Sequence, residues 1–407
     1  METALLSQRL ERLRTAPGRN VRPPPARADH AASLAAALGG HVRNGVVVLE
    51  ESFAVPVDRS ALAALPYDIP ADARLVCLDL ETTGLATAAG TVAFLVGLGW
   101  WERERLTVRQ LVLPDHADEM ALLEAVAEAL PPDAWLVTYN GRCFDWPLLI
   151  TRFRMHRRDP PPLAGHTDLL PIARALWKHR TGSARLAVIE HEICGVRRTD
   201  DLPGAFIPER YFGYLHTRRD DLLRAPVEHN RQDIISLGRL VARLARMSRS
   251  EAWPETHAGD LYGLARAMIR RGRGDGALLV LETAMASDRW QVRQPASVVL
   301  HRHLAAERAR LLARLGRREE AVEAWTDIAR RGGPGAGAAW LSVARHREHF
   351  ERDVAGALTA CHEAAAVAGR ARAWGNPLHA VERDLEHRLP RLSRKAFAQR
   401  RQVRIAA

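Results

Sequence analysis

Lysine is almost missing from this chain of 407 residues. Its lysines and arginines together number 59, and only Lys178 and Lys395 are lysine. So one-sided a choice of cation reads partly as base composition, with much of the arginine laid out as solvated helix surface. The net charge of +11 still favours a polyanionic partner, nucleic acid before others. Cysteine is scarce too. Cys77, Cys143, Cys194 and Cys361 form no C-x-x-C pair, which excludes a zinc site built from them. Scattered thiols fit a reducing compartment. No apolar run of about 18 residues occurs, so no transmembrane helix is expected. The N-terminus lacks the apolar centre of a secretory signal. The expectation is a cytoplasmic protein with no membrane partner.

What is present suffices for two or three domains at roughly 150 residues each. Residues 1–12 read as a short amphipathic helix, and 13–30, with Arg22-Pro23-Pro24-Pro25-Ala26-Arg27, as a flexible or extended linker. Val46–Leu49 is a short strand candidate. From about residue 72 the pattern is α/β. Leu75–Leu80, Thr91–Trp101 and Leu106–Leu113 read as three antiparallel strands. Asp118–Leu130 has helical periodicity, Ala134–Tyr139 is a buried strand, and helices follow near Trp146, over Leu169–His179, and from Pro226 to about Met247. Beyond residue 255 the chain is helical and weakly repetitive: residues 267–277 resemble 311–321, and Ala277, Ala321 and Ala357 each begin a second helix. The spacing approaches that of tetratricopeptide-type hairpins. The expected domains are an N-terminal extension (1–70), an α/β domain (71–250), helical repeats (251–390) and a basic tail (391–407).

The chemistry is concentrated in Leu75-Val76-Cys77-Leu78-Asp79-Leu80-Glu81-Thr82-Thr83-Gly84-Leu85. Asp79 and Glu81 lie one residue apart on a strand and so point the same way. Paired carboxylates stay ionised only beside a positive charge, for which a divalent cation with oxygen ligands is suited. Asp145 follows the turn Asn140-Gly141 near a helix start, where an N-cap is its plain role. His229 and Asp233 are four apart on a helix and so are neighbours. A histidine so placed is suited to the role of general base.

Taken together, Asp79-x-Glu81, Asp145 and Asp233 resemble the acids of the DEDD superfamily of 3′–5′ exonucleases. More closely, the chain is similar to YprB-type ribonuclease H-like proteins. The matching residues are Asp-Leu-Glu-Thr-Thr-Gly-Leu, Tyr-Asn-Gly-x-x-Phe-Asp-x-Pro-Leu-Leu, His166-x-Asp168, Arg185-Leu186 with Glu190, Asp201-x-Pro203-Gly204 and His229-Asn230-x-x-Asp233. The resemblance implies an α/β ribonuclease H-like mixed sheet flanked by helices, followed by an all-α helical-hairpin repeat domain. It implies two Mg²⁺ or Mn²⁺ ions held by Asp79, Glu81, Asp145 and Asp233, with His229 acting on the attacking water. It implies that Thr82, Thr83, Leu85 and Asn140 contact a single-stranded DNA or RNA substrate. His lies at the spacing where one branch of those exonucleases has Tyr. Arg142, Arg152 and Arg231 are expected to meet phosphates. The repeats would dock a protein partner or extend the nucleic-acid surface. A catalytically silent binding scaffold and an endonuclease on structured or hybrid substrates remain the alternatives.

Overall fold

The computed structural model describes residues 27–67, 69–84, 90–198, 202–286 and 295–406. The expected helix at 1–12, Leu85 and Asp201 lie outside them. The chain divides into two compact units. The described residues up to Pro56, Ala73–Asp168 and Arg198–Arg239 form the first; Val57–Asp72, Leu169–Arg197 and those from Leu240 onward form the second.

In the first unit a seven-stranded sheet runs β1 (His41–Arg43), β2 (Val46–Ala54), β5 (Arg105–Val112), β4 (Ala93–Glu102), β3 (Arg74–Thr82), β6 (Ala134–Thr138), β7 (Gly165–Asp168). Pairing is antiparallel from β1 to β3 and parallel from β3 through β6 to β7. The mixed sheet is as expected, but residues before 70 are not merely an extension. β2 pairs along its length with β5, Val47 opposite Val112 and Phe53 opposite Leu106. The expected linker is shorter as well: α1 (Arg27–Leu38) begins inside it, because Leu34 and Ala35 bury in the core shared with Val46–Leu49.

One face of β3 carries Val76, Leu78 and Leu80 into the main core. There they join Leu122 and Val126 of α3 (Glu119–Ala129), Leu149 and Phe153 of α4 (Asp145–Met155), and Tyr211 and Tyr214 of α8 (Ile207–Thr217). Tyr211 stacks on Phe94 at 4.1 Å between ring centroids. The other face carries Cys77, Asp79 and Glu81. It is approached by α9 (Arg224–Met247), whose residues up to Arg239 belong to this unit. That approach needs bare backbone. Gly97 and Gly99 of β4 stand opposite Asp79 and Cys77. A Cβ on Gly97 would lie 2.3 Å from Asn230 Oδ1, and one on Gly99 2.5 Å from Ile234 Cγ2.

The second unit holds α2 (Arg59–Leu62), α5 (Leu169–Leu176), α6 (Lys178–Thr181) and α7 (Leu186–Cys194), then consecutive hairpins. These are α10 (Ala258–Arg270) with α11 (Gly274–Ala286), α12 (Pro295–Arg314) with α13 (Arg318–Arg331), and α14 (Ala336–His346) with α15 (Val354–Ala373); α16 (His379–Ala406) follows. Ala277, Ala321 and Ala357 sit at the same place in each second helix, all buried. A left-handed residue precedes each second helix by two: Gly272, Gly316 and Arg352, at φ 72°, 78° and 55°. A buried carboxylate on the π-helical turn Arg347–Glu351, Glu348, gathers Arg388, Arg391 and Lys395 of α16. Among the described residues no helix is long and apolar enough to cross a membrane.

Candidate active site

The four acids come from three elements. Asp79 and Glu81 stand on β3, beyond the point where β6 stops pairing with it at Cys77. The register against β4 shifts between Glu81 and Thr82, so the strand end is open on one side. β3 is also where antiparallel pairing changes to parallel, and ligands collect at the carboxyl ends of strands at such a switch. Asp145 opens α4, and Asp233 projects from α9 one turn after His229. Burial, then the neighbouring charges of Asp233, Glu81 and Asp145, hold the Asp79 carboxyl far above the usual carboxylate range, while a hydrogen bond from Asn230 opposes them. Asp145 is likewise pushed up to about 7, first by burial, with Asp168 and Asp233 adding to it. The acids are therefore electrostatic neighbours.

Asn230 fixes the first of them. It is fully buried, and its Nδ2 donates to the backbone oxygen of Asp79 at 3.1 Å and to Oδ2 at 2.9 Å. Its own Oδ1 accepts from Gln110 Nε2 at 2.9 Å, which also reaches Val227 O at 2.8 Å. The space for this relay is the missing side chain at Gly97. Asp168 does similar work for the Asp145 loop, accepting the amides of Asn140 at 2.8 Å and Arg142 at 3.3 Å. Gly141 lies so close that a Cβ there would sit 2.5 Å from Thr138 and 2.8 Å from Asp145 Oδ2. His166 bonds Thr138 Oγ1 at 2.8 Å, and burial and Arg142 lower its pKa to about 4.

The last acid carries its own cation. Arg198 pairs with Asp233 Oδ1 and comes within 3.5 Å of His229 Nδ1, while His229 Nε2 is 3.8 Å from Asp233 Oδ2. Among the described residues no three His, Cys, Asp or Glu side chains are gathered closely enough to hold a metal ion as they stand. The donor chemistry nevertheless suits a hard divalent cation: carboxylate oxygens, mutually repelling and partly desolvated.

Other expectations fare unevenly. The Thr82 hydroxyl donates to Gly84 O at 2.6 Å and that of Thr83 accepts the Val92 amide at 2.9 Å, so both are engaged in the turn. Asn140 is exposed, with φ at 70°. Arg152 does not face a phosphate. It is buried against Glu119, which also takes His156, because α3 and α4 pack here. Arg231 is held by Glu51 and Glu228. Sequence reasoning missed Arg198, one arginine among many and without a distinguishing motif. It also missed the roles of Gln110 and Asn230. The available signal was Gly97-x-Gly99 inside a strand, a mark of close approach.

Two comparisons bear on these residues. A family model described as the RNase_H superfamily matches residues 76–245, which takes in all four acids and His229. The Bacillus subtilis (strain 168) "Uncharacterized protein YprB" is 32% identical over 288 residues, covering 70% of this chain and 67% of that protein.

Proposed function

The chain belongs to one family with YprB and carries a domain of the RNase_H superfamily, and from that premise we propose that it is a divalent-metal-dependent nuclease, a 3′–5′ exonuclease of the DEDD type on single-stranded DNA or RNA. The observation that carries the reading is the placement of Asp79 at the end of β3, held there by Asn230, where burial first and then the charges of Asp233, Glu81 and Asp145 raise its carboxyl. Such a cluster is costly unless a cation joins it. Asp79, Glu81, Asp145 and Asp233 would hold two Mg²⁺ or Mn²⁺ ions. Bound there, the ions would supply an activated water and neutralise charge on the in-line transition state.

The remaining work falls to the chain. Asn230, braced by Gln110, keeps Asp79 in one rotamer. Asp168 holds the loop that starts α4, and with it the direction of Asp145. His229 orients the attacking water or takes its proton. Arg198 sits where a guanidinium could meet a phosphate once Asp233 is otherwise engaged, a geometry suited to bidentate contact. Thr82, Thr83, Leu85 and Asn140 would contact the terminal nucleotide.

One competing reading has an observation in its favour. The Arg198–Asp233 pair, which engages one of the four acids, suits a silent nucleic-acid-binding scaffold. A Mg²⁺/Mn²⁺ panel on 3′-blocked and unblocked DNA and RNA oligonucleotides separates the two. Cation-dependent release of mononucleotides from unblocked ends is the expected result. Cleavage of circular strands would make it an endonuclease, and no cleavage with any cation would leave the scaffold.

A further inference from the structure

The helical unit contains a second charged concavity. Helices α12, α13 and α14 enclose a groove of about 1070 Å³. Its lining includes Arg302, Arg310, Arg314, Arg318 and Arg345, all exposed, against Glu307 as the single acid among the described residues. Glu307 lies 3.3 Å from Arg310 and 3.7 Å from Arg314, and Asp384 lies 3.8 Å from Arg345, so a fraction of that charge is offset. The acids of α13, among them Glu319, Glu320, Glu323 and Asp327, do not line the groove. The charge is thus sorted by face.

Aromatic rings punctuate the arginines. Arg318 lies 4.1 Å over the Phe350 ring, whose other neighbour is His346, and Arg310 lies 6.0 Å over Trp325. Phe350 is 54% exposed. Guanidinium planes on ring faces are half-built stacks that a flat, electron-rich group could extend. The lining also has apolar members, Val299, Ala306 and Ile328.

We propose that this groove is a binding track for single-stranded nucleic acid, separate from the acidic site. Excess cation recognises phosphates, and ring and guanidinium faces accept bases without regard to sequence. An acidic peptide would meet the arginines but leave the stacking faces unused. The chain's own N-terminal stretch is no candidate occupant. Residues 1–26 carry Arg9, Arg12, Arg14, Arg19 and Arg22 against Glu2 and Glu11, a charge the groove repels. The proposal goes beyond the nuclease reading and is measured apart from it.

The test is a fluorescence-anisotropy titration of labelled oligo-dT and oligo-U of about 20 nucleotides, a length beyond one stacking site, with the full chain in EDTA so that cleavage cannot intervene. The triple variant Arg302→Ala/Arg314→Ala/Arg318→Ala should weaken binding and flatten the log affinity against log salt slope by about 2, some 0.7 for each lost phosphate contact. Phe350→Ala should weaken binding about tenfold, the scale of one lost stacked base, and leave the slope alone. Cleavage of trinucleotides with Mn²⁺ should be unchanged in both variants; its absence in the parent chain would sink the nuclease reading without touching the groove. Far-ultraviolet circular dichroism should show both variants folded. Unaltered affinity and slope in the folded triple variant would overturn the proposal. So would full competition by polyglutamate at matched charge combined with no effect of Phe350→Ala, since the track would then suit an acidic polypeptide.

Discussion

In the first unit, hairpins β1–β2, β3–β4 and β4–β5 are joined by contacts between elements far apart in the chain. β2 lies along β5, β3 between β4 and β6, and Asn230 of α9 grips Asp79 of β3. In the second unit each hairpin packs a helix on its successor, and the same turn geometry returns at Gly272, Gly316 and Arg352. The acids of the first unit can meet only after non-local pairing. The groove of the second is built from three successive helices. Chemistry that needs several converging groups sits in the first, and a broad surface sits in the second.

The contrast can be broken by substitutions aimed at each side. Asp79→Ala should have the largest effect. Hydrolysis should fall by at least about a thousandfold, the upper range for removing one electrostatic stabiliser. Thermal unfolding without divalent ions should stay equal or improve, because three acids lose a repelling neighbour. Retained cleavage would show that convergence at β3 is not the source of activity. Next is Arg152→Ala, which strands the buried carboxylate Glu119 between α3 and α4 and should cost about 3–5 kcal/mol in urea unfolding. A change under about 1 kcal/mol would show that this packing is dispensable.

The helical unit has its own buried pair. Burial would raise the pKa of Glu348, but Arg391 and Lys395 overcome it and hold the carboxyl down at about 2, below its ordinary 4.5. An acid with a depressed folded pKa adds stability above its unfolded value, and that addition disappears as pH falls through the folded one. Glu348→Gln should therefore destabilise by about 3 kcal/mol at neutral pH. Its deficit should shrink between pH 4.5 and about 2, as read by denaturant midpoints across that window. A deficit that is constant with pH would mean packing, not charge, is lost. A smaller effect is expected at the first site. Arg198→Ala should tighten Mn²⁺ binding on the order of tenfold in calorimetry, since a partly screened cation no longer competes for Asp233. Unchanged or weaker binding would show that Arg198 supports the site instead.

The two units were unequally legible. β3 and its acid pair could be read from alternation and an apolar run, and the His229–Asp233 relation from helical spacing. The C-terminal helices were readable because their contacts are local: Ala277, Ala321 and Ala357 hold the same buried position in three helical hairpins. The N-terminal strands were read only in part, with Val46–Leu49 seen as a strand but neither β1 nor the pairing of β2. β1 has three residues, and the partner of β2 lies on the far side of β3 and β4 in the chain. Arg198 was hidden by abundance, and Arg152 by the same arginine surplus, which makes a buried pair look like another surface cation. Asn230 was visible as a letter in a motif, but its role depends on Gly97, which only the β3–β4 register brings opposite Asp79.

The turn at Arg352 has a consequence for how such repeats diverge. Gly272 and Gly316 adopt a positive φ without a Cβ in the way, whereas Arg352 holds φ 55° against steric resistance. Arg352→Gly should raise stability by about 0.5–1 kcal/mol in thermal unfolding, after the added freedom of the unfolded chain is subtracted. What the three hairpins share at that corner is then a dihedral angle, which a side chain can occupy as long as its neighbours absorb the strain.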